Sequence, residues 1–220
     1  MNAHKASENF ADASARYVDV AELSDDEIYK LLSGAVQPRP IAWISTVSER
    51  GVRNLAPFSF FTVASRKPPT VAISISERIG FPGETKDTLA NILNRGEFVV
   101  NIPSVDNAAA VAASSATVTE DVDEFALAQV NAEPAQQIDV PAVADSLVSL
   151  ECRLRESIPL GLDTLVLGTV VAATVRSGSI DDDMHTDPAS GRWLARIAGP
   201  YFSRVTPGVN QADIGPGSLQ

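Results

Sequence analysis

The sequence predicts a mainly β protein with added helices, folded as one antiparallel β-barrel. Strand-like segments are spread from residue 41 to residue 198, and neither an internal repeat nor a domain boundary interrupts them. The 220 residues are 45% hydrophobic and 20% charged, which is typical of a globular chain with a substantial core. We therefore expect one domain over residues 19–206, a flexible N-terminal arm at 1–18 and a disordered tail at 207–220.

A short helix is the first predicted element. Ser24 and Glu27 have the spacing of a capping box, which marks a helix start, and the helix is expected to end at Gly34. Its apolar side would consist of Ile28, Leu31 and Leu32.

Strands follow this helix. Residues 41–47 are rich in β-branched and aromatic side chains, and residues 48–51 suit a hairpin turn that ends in a glycine. The chain returns over residues 52–63, and residues 70–76 alternate large and small side chains. We expect these strands to form an antiparallel meander.

A second helix is predicted from Lys86 to Arg95, because its apolar residues share one face and a glycine follows it. Another strand covers residues 97–102. The alanine-rich, acidic residues 105–145 are expected to form two or three short helices or turns.

Three further strands are predicted to complete the barrel. Two long ones at residues 146–156 and 164–176 are joined through Pro159 and Gly161. A polar loop then leads to a last strand at residues 192–198.

The charge of the chain is unevenly distributed. Seventeen basic and twenty-eight acidic residues give a net charge of −11, which argues against a nucleic-acid-binding surface. Residues 37–97 nevertheless hold eight basic and five acidic side chains. This basic region could bind an anionic ligand, or its charges could be ordinary solvated loop charges.

Several kinds of site have no support in the sequence. A single cysteine, Cys152, excludes a disulfide framework and a cysteine-rich metal centre, and its position suits a buried strand residue. His185 lies in an acidic loop at residues 181–187, which could bind a cation or simply be solvated, and we predict no metal site. The nucleophile-elbow, phosphate-loop and dinucleotide motifs are missing, so a bound cofactor is expected to carry any redox chemistry.

The N-terminal residues show no signal peptide, and no apolar run approaches the roughly 20 residues that span a bilayer. We therefore expect a cytoplasmic protein with neither a membrane nor a nucleic-acid partner.

The start of the second helix is a candidate phosphate site. A helix N-terminus offers free backbone N–H groups and a partial positive charge, to which Lys86 adds a cation and Thr88 a hydroxyl donor. Asp87 would compete with a phosphate, and we expect it to cap the helix. Simple capping without any ligand is the alternative for this segment.

The strands before that helix could hold a planar heterocycle. Residues 45–46 and 54–61 combine short polar groups with aromatic side chains, which can fix the edge of a ring and support its face. Phe58, Phe60 and Phe61 cannot all face one side of a strand, so one or two of them are expected in the core.

The motifs in residues 32–102, with a closing segment at 196–205, resemble the flavin reductase-like family, which is similar to flavoredoxin and has an FMN-binding split-barrel fold. The matching blocks are residues 32–46, 54–61, 68–69, 86–92 and 97–102.

The resemblance implies an antiparallel split β-barrel that binds FMN non-covalently, as a homodimer with the flavin near the subunit interface. The isoalloxazine and ribityl parts would be held by Ser45, Thr46, Asn54, Ala56 and Ser59. The phosphate would be held by Lys86 and Thr88, with Arg39 as a further partner. No side chain is predicted to be catalytic; the loop around His185 is a candidate to lie near the substrate.

The implied function is an FMN-dependent oxidoreductase that transfers hydride from NAD(P)H to flavin and on to an unidentified acceptor, with a small molecule or a flavin as substrate. In a second version of this hypothesis, the protein is an enzyme that keeps FMN tightly bound and reduces a dedicated organic substrate. The alternatives are an FMN-binding electron carrier, a ligand-binding module without NAD(P)H activity, and a barrel without flavin.

Overall fold

The computed structural model describes residues 15–206 except 79, 82, 188 and 189. The predicted tail at 207–220 and residues 1–14 of the predicted arm lie outside the described residues. Residues 15–19 are in neither helix nor strand.

Strands dominate the described chain. The helices are α1 (Asp25–Ala35), α2 (Asp87–Arg95), α3 (Ala108–Ala113) and α4 (Glu124–Leu127). The strands are β1 (Arg39–Pro40), β2 (Ala42–Val47), β3 (Arg53–Phe58), β4 (Phe61–Arg66), β5 (Pro69–Ser76), β6 (Glu97–Ile102), β7 (Ala132–Glu133), β8 (Ala142–Val143), β9 (Val148–Leu160), β10 (Asp163–Val175), β11 (Leu194–Arg196) and β12 (Phe202–Arg204). None of the helices in the described part of the chain is long and apolar enough to cross a membrane.

Seven antiparallel strands form the main sheet, in the order β3-β2-β6-β9-β10-β5-β4. The mainly β fold with added helices is therefore confirmed, but the predicted meander is wrong. Strands β2 and β3 form one hairpin and β4 and β5 form another, and the two hairpins lie at opposite ends of the strand order. Each hairpin is fixed by its own short turn, whereas the position of the second depends on its pairing with β10, about 90 residues along the chain.

The hairpin of β2 and β3 separates two hydrophobic clusters. Because successive side chains of a strand point to opposite faces, Ile44 packs in the main cluster with Phe58, Phe98 and the α2 residue Ile92. The intervening Trp43 packs on the other face, in the second cluster with Leu55 and Phe125. The hairpin thus has α2 on one side and the chain from residue 105 to 143 on the other.

The single cysteine, Cys152, is a fully buried member of the main cluster. Burial raises the pKa of its thiol to about 12, which keeps the thiol protonated and unreactive. This placement agrees with the predicted role of a small strand residue.

Helix α1 begins as predicted but ends one residue later and packs differently. The Ser24 backbone N–H donates to Glu27 Oε2 at 2.9 Å, and the Glu27 N–H donates to Ser24 Oγ at 3.4 Å, which completes the capping box. Gly34 lies inside the helix. The predicted apolar side is not buried against the chain, since Leu31 and Leu32 are 41% and 51% exposed.

The structure contains the predicted hairpin turn, short helices and long strands, with changed bounds. The 48–51 turn closes the first hairpin with Gly51 at a φ of 80°, a conformation that favours glycine. The alanine-rich region contains α3 and α4 as expected, together with the small β7–β8 pair. Pro159 lies within β9 rather than in the connection to β10, because β9 continues to Leu160 instead of ending at residue 156.

Candidate flavin-binding site

A cavity of about 170 Å³, called here the first cavity, lies beside the start of α2. Its walls come from β3, from the beginning of α2, from the loop 114–118 after α3, and from the side chains of Arg78 and Glu124. Of the predicted site residues it is lined by Asn54, Ala56, Lys86 and Thr88.

The start of α2 has no capping side chain. Lys86 occupies the N-cap position with an extended backbone, and no side chain of the described residues accepts a hydrogen bond from the first turn. The first intrahelical bond runs from the Ala90 N–H to the Lys86 carbonyl at 3.0 Å, so the preceding amides remain available to a ligand. These amides and the helix dipole together favour an anion.

Asp87 does not cap this helix, contrary to the sequence prediction. Its Oδ1 accepts a hydrogen bond from Arg78 Nη2 at 2.6 Å. The carboxylate at the helix start is therefore paired with a cation, which reduces its competition with an anionic ligand.

Two cations line the first cavity. Burial and the positive charge of Arg78 lower the pKa of Lys86. The Lys86 Nζ lies 5.8 Å from the centre of the Phe58 ring, and Arg78 also donates to the Val118 carbonyl at 3.0 Å. Because the two positive charges repel each other, an anion between them would be stabilised by both. The set of donors in this cavity fits the phosphate end of a flavin nucleotide.

Three of the predicted site side chains belong to one buried network centred on Asn54. The Asn54 Oδ1 accepts hydrogen bonds from Thr88 Oγ1 at 2.8 Å and from Thr46 Oγ1 at 3.1 Å. Thr46 in turn accepts from Asn91 Nδ2 at 3.0 Å. The network joins β2, β3 and α2, and it fixes the side chains of Asn54 and Thr88 at the cavity wall.

Glu124 completes this network, although nothing in its sequence context marked it as a site residue. Its side chain accepts hydrogen bonds from Asn54 Nδ2 and from the Leu55 N–H, the latter at 2.6 Å. Glu124 is only 5% exposed. Burial, with the nearby charges of Asp87 and Asp123, raises its pKa to about 7.

A second cavity, of about 470 Å³, adjoins the first. The two share Pro57, Phe58 and Ser115 as lining residues, so together they form one groove along β3. The predicted residue Ser59 lines the second cavity, as do the aromatic side chains of Tyr29 and Phe202. The volume of the second cavity is within the roughly 300–1,000 Å³ typical of small-molecule sites.

Ser45 faces away from this groove. Its Oγ donates to the Pro141 carbonyl at 2.6 Å and accepts from Asn101 Nδ2 at 3.2 Å. The reason is the two-residue period of a strand, which places Ser45 and Thr46 on opposite faces of β2.

Arg39 is also outside the first cavity. Its buried guanidinium donates to the carbonyls of Ser33 and Val36, the latter at 2.8 Å, and to Ser59 Oγ at 3.3 Å. The same group donates to the Ile197 carbonyl at 3.4 Å. Because these acceptors lie near the end of α1 and after β11, Arg39 joins those segments to β1.

His185 lies in a surface loop apart from both cavities. Its side chain is 77% exposed, with Nδ1 3.8 Å from Asp181 Oδ1. Within the described residues, no three His, Cys, Asp or Glu side chains are grouped as a metal site requires.

Comparison with known proteins identifies the family. Residues 35–188 match the flavin reductase like domain. The chain is 33% identical over 186 residues to an uncharacterized protein of Aquifex aeolicus, with 84% of this chain and 94% of the relative covered.

Two solved structures have the same fold over most of their length. Nitrilotriacetate monooxygenase component B from Bacillus cereus is 28% identical with a TM-score of 0.84, covering 90% of this chain and 99% of that one. The 2-nitrobenzoate 2-nitroreductase of Pseudomonas fluorescens is 28% identical with a TM-score of 0.81, covering 93% and 98%. The chain therefore belongs to the flavin reductase-like family of split-barrel flavoproteins.

Proposed function

We propose that this protein is an FMN-dependent oxidoreductase that takes reducing equivalents from NAD(P)H and delivers them to an acceptor. The observation that carries this proposal is the uncapped start of α2 in a cavity lined by Lys86 and Arg78, in a chain of the flavin reductase-like family. Hydride transfer from NAD(P)H and electron delivery are the chemistry that FMN supplies when bound.

The protein's part in binding FMN begins at the phosphate. Lys86 and Arg78 provide positive charge, and Thr88 lies at the cavity wall in the first turn of α2. Arg78 takes the place of Arg39 in this proposal, because the Arg39 guanidinium is bound to carbonyls elsewhere.

The remainder of the flavin would follow β3 from the first cavity into the second. Ala56 and Phe58 line the first part of this path and Ser59 the second. Thr46 and Asn54 position Thr88 through the buried network, and Ser45 stabilises the opposite face of the hairpin.

We further propose that the protein acts as a homodimer with the flavin near the interface. Apolar side chains of α1 and its flanks are exposed in the single chain, and Tyr29 of α1 lines the second cavity. Several large apolar side chains exposed on one short helix favour a protein–protein contact there. A partner chain placed there would close the outer side of the groove.

The test is reconstitution of the purified protein with FMN, FAD or riboflavin, followed by anaerobic addition of NADH or NADPH. We expect FMN to bind most tightly, because the phosphate sets it apart from riboflavin and the cavity at α2 is small. Bleaching of the flavin absorbance by either nicotinamide would support the oxidoreductase, and failure to bind any flavin would contradict the proposal.

The likeness to a nitroreductase supports a second candidate, an enzyme that retains its flavin and reduces an organic substrate. Steady-state turnover of added free FMN separates the two, since only an enzyme that exchanges flavin shows it. A bound flavin that stays oxidised with both nicotinamides would instead indicate an electron carrier.

A further inference from the structure

Glu124 is a buried acid at the wall of the first cavity, and the binding mode above gives it no contact with the ligand. Both of its hydrogen bonds are accepted by Oε2. The other oxygen, Oε1, accepts none from the described residues, while the side chain lines both the first cavity and a third cavity of about 220 Å³. The carboxyl group therefore has one oxygen available to a ligand.

The charged groups around Glu124 leave one cation unpaired. The groups that share its cavities or act on its titration are Arg78, Lys86, Asp87, Asp123, Glu49, Arg50 and Glu120. Asp87 is paired with Arg78, Asp123 with Arg53 of β3, and Glu120 with Arg50. Lys86 makes no ion pair with any described residue, and the carboxylates that line the first cavity together with it are those of Asp87 and Glu124.

An ionised Glu124 would oppose a phosphate in the same small cavity in two ways. It would repel the anion directly, and it would attract Lys86 away from it. A neutral carboxylic acid avoids both effects and adds an O–H donor. The burial of Glu124 already favours this neutral form, with a pKa of about 7.

We propose that Glu124 binds the flavin phosphate as a neutral acid, donating a hydrogen bond from its Oε1–H to a phosphate oxygen, so that FMN binding takes up a proton wherever Glu124 is ionised. The proton comes from solvent, and no covalent bond changes. This inference rests on the proposed function, because it assigns a group to the same phosphate site.

Glu124→Gln is a suitable mimic of the neutral acid. Because both hydrogen bonds go to one oxygen, the amide oxygen can accept them while the amide N–H donates in place of Oε1–H. Glu120→Gln is the matched control, since it makes the same charge change at an exposed carboxylate outside the first cavity.

The measurement is the dissociation constant of FMN at pH 6 and pH 8.5 for the three proteins. Comparison at a fixed pH cancels the titration of the FMN phosphate, which is the same for all three proteins. We expect Glu124→Gln to match wild type at pH 6 and to bind about 30-fold more tightly at pH 8.5. Glu120→Gln should follow wild type. Calorimetry in two buffers at pH 8 should show that wild type and Glu120→Gln each take up about one proton more than Glu124→Gln does on binding FMN.

Equal affinities of wild type and folded Glu124→Gln at pH 8.5 would overturn the inference and leave the proposed function standing. Weaker binding by folded Glu124→Gln at both pH values would also overturn it, because the carboxylate itself would then be required. If wild type binds no flavin, both the inference and the proposed function fail.

The unliganded protein offers an independent readout. The raised pKa means that ionisation of Glu124 opposes folding as the pH rises from the unfolded value of 4.5 through about 7. Glu124→Gln should therefore raise the melting temperature at pH 8 and leave it little changed at pH 4.5. Identical shifts at the two pH values would contradict the neutral acid.

Discussion

Helices α1 and α2 begin in opposite ways. In α1 the Ser24 and Glu27 side chains satisfy the first backbone N–H groups, and the helix carries exposed apolar residues. In α2 a lysine occupies the N-cap position without capping, while Leu89 and Ile92 pack in the main core. A capping side chain typically contributes about 1 kcal/mol, which a helix held by core packing can forgo. The comparison shows that an open helix start can be kept for a ligand where packing already secures the helix.

The largest effect on FMN binding is expected for Lys86→Asp, which would place a capping side chain at the start of α2, as in α1. Reversing the charge and occupying the amides should weaken FMN binding about 100-fold, since charged hydrogen bonds are worth about 1.5–3 kcal/mol each. The free energy of unfolding without flavin should rise by about 0.5–1 kcal/mol. Flavin fluorescence titration and denaturant unfolding measure the two effects.

The control for this variant is Lys67→Asp, at an exposed position in the turn between β4 and β5. This variant makes the same charge change away from the groove, and its FMN affinity should stay within about twofold of that of wild type. Undiminished FMN binding by Lys86→Asp would show that the phosphate is bound elsewhere.

Smaller losses of FMN affinity are expected when single side chains are truncated, and the loss should be greater in the first cavity than in the second. Lys86→Ala should weaken FMN binding at least about tenfold, whereas Ser59→Ala should weaken it about threefold, because a hydrogen bond to a charged group contributes about 1.5–3 kcal/mol and a neutral one about 0.5–1.5 kcal/mol. Ultrafiltration of each variant with FMN gives the order. Equal losses would count against the assignment of the phosphate to α2.

The smallest expected effect is confined to α1. Ser24→Ala removes the cap and should lower the free energy of unfolding by about 1 kcal/mol, with no change in FMN affinity. Denaturant unfolding and the same flavin titration provide the measurement. A change in affinity would indicate that the start of α1 also contributes to the flavin site.

Local features of the fold could be predicted from the sequence because they depend on neighbouring residues. The capping box, the Gly51 turn and the two long strands β9 and β10 are of this kind. The placement of the β4–β5 hairpin beside β10 could not be predicted, since no local signal selects one distant strand over another.

The residues of the candidate site also differ in whether local sequence or tertiary packing identifies them. Lys86, Thr88 and Asn54 lie in segments with recognisable motifs, and the fold brings them together. Glu124 comes from an acidic, alanine-rich region where one carboxylate resembles the next, and only tertiary packing buries it against β3. The orientation of Ser45 could have been predicted from the sequence, because the alternation of side chains along a strand places Ser45 and Thr46 on opposite faces.

The burial of Cys152 has a practical consequence for experiments that detect ligand binding in this groove in solution. With the native thiol enclosed and strongly protonated, maleimide and methanethiosulfonate reagents have no competing target in the folded chain. Ser115→Cys would introduce one accessible attachment point on the shared rim of the two cavities. A fluorophore or spin label there could report the arrival of a ligand, or of a second subunit, without removal of any natural residue from the core.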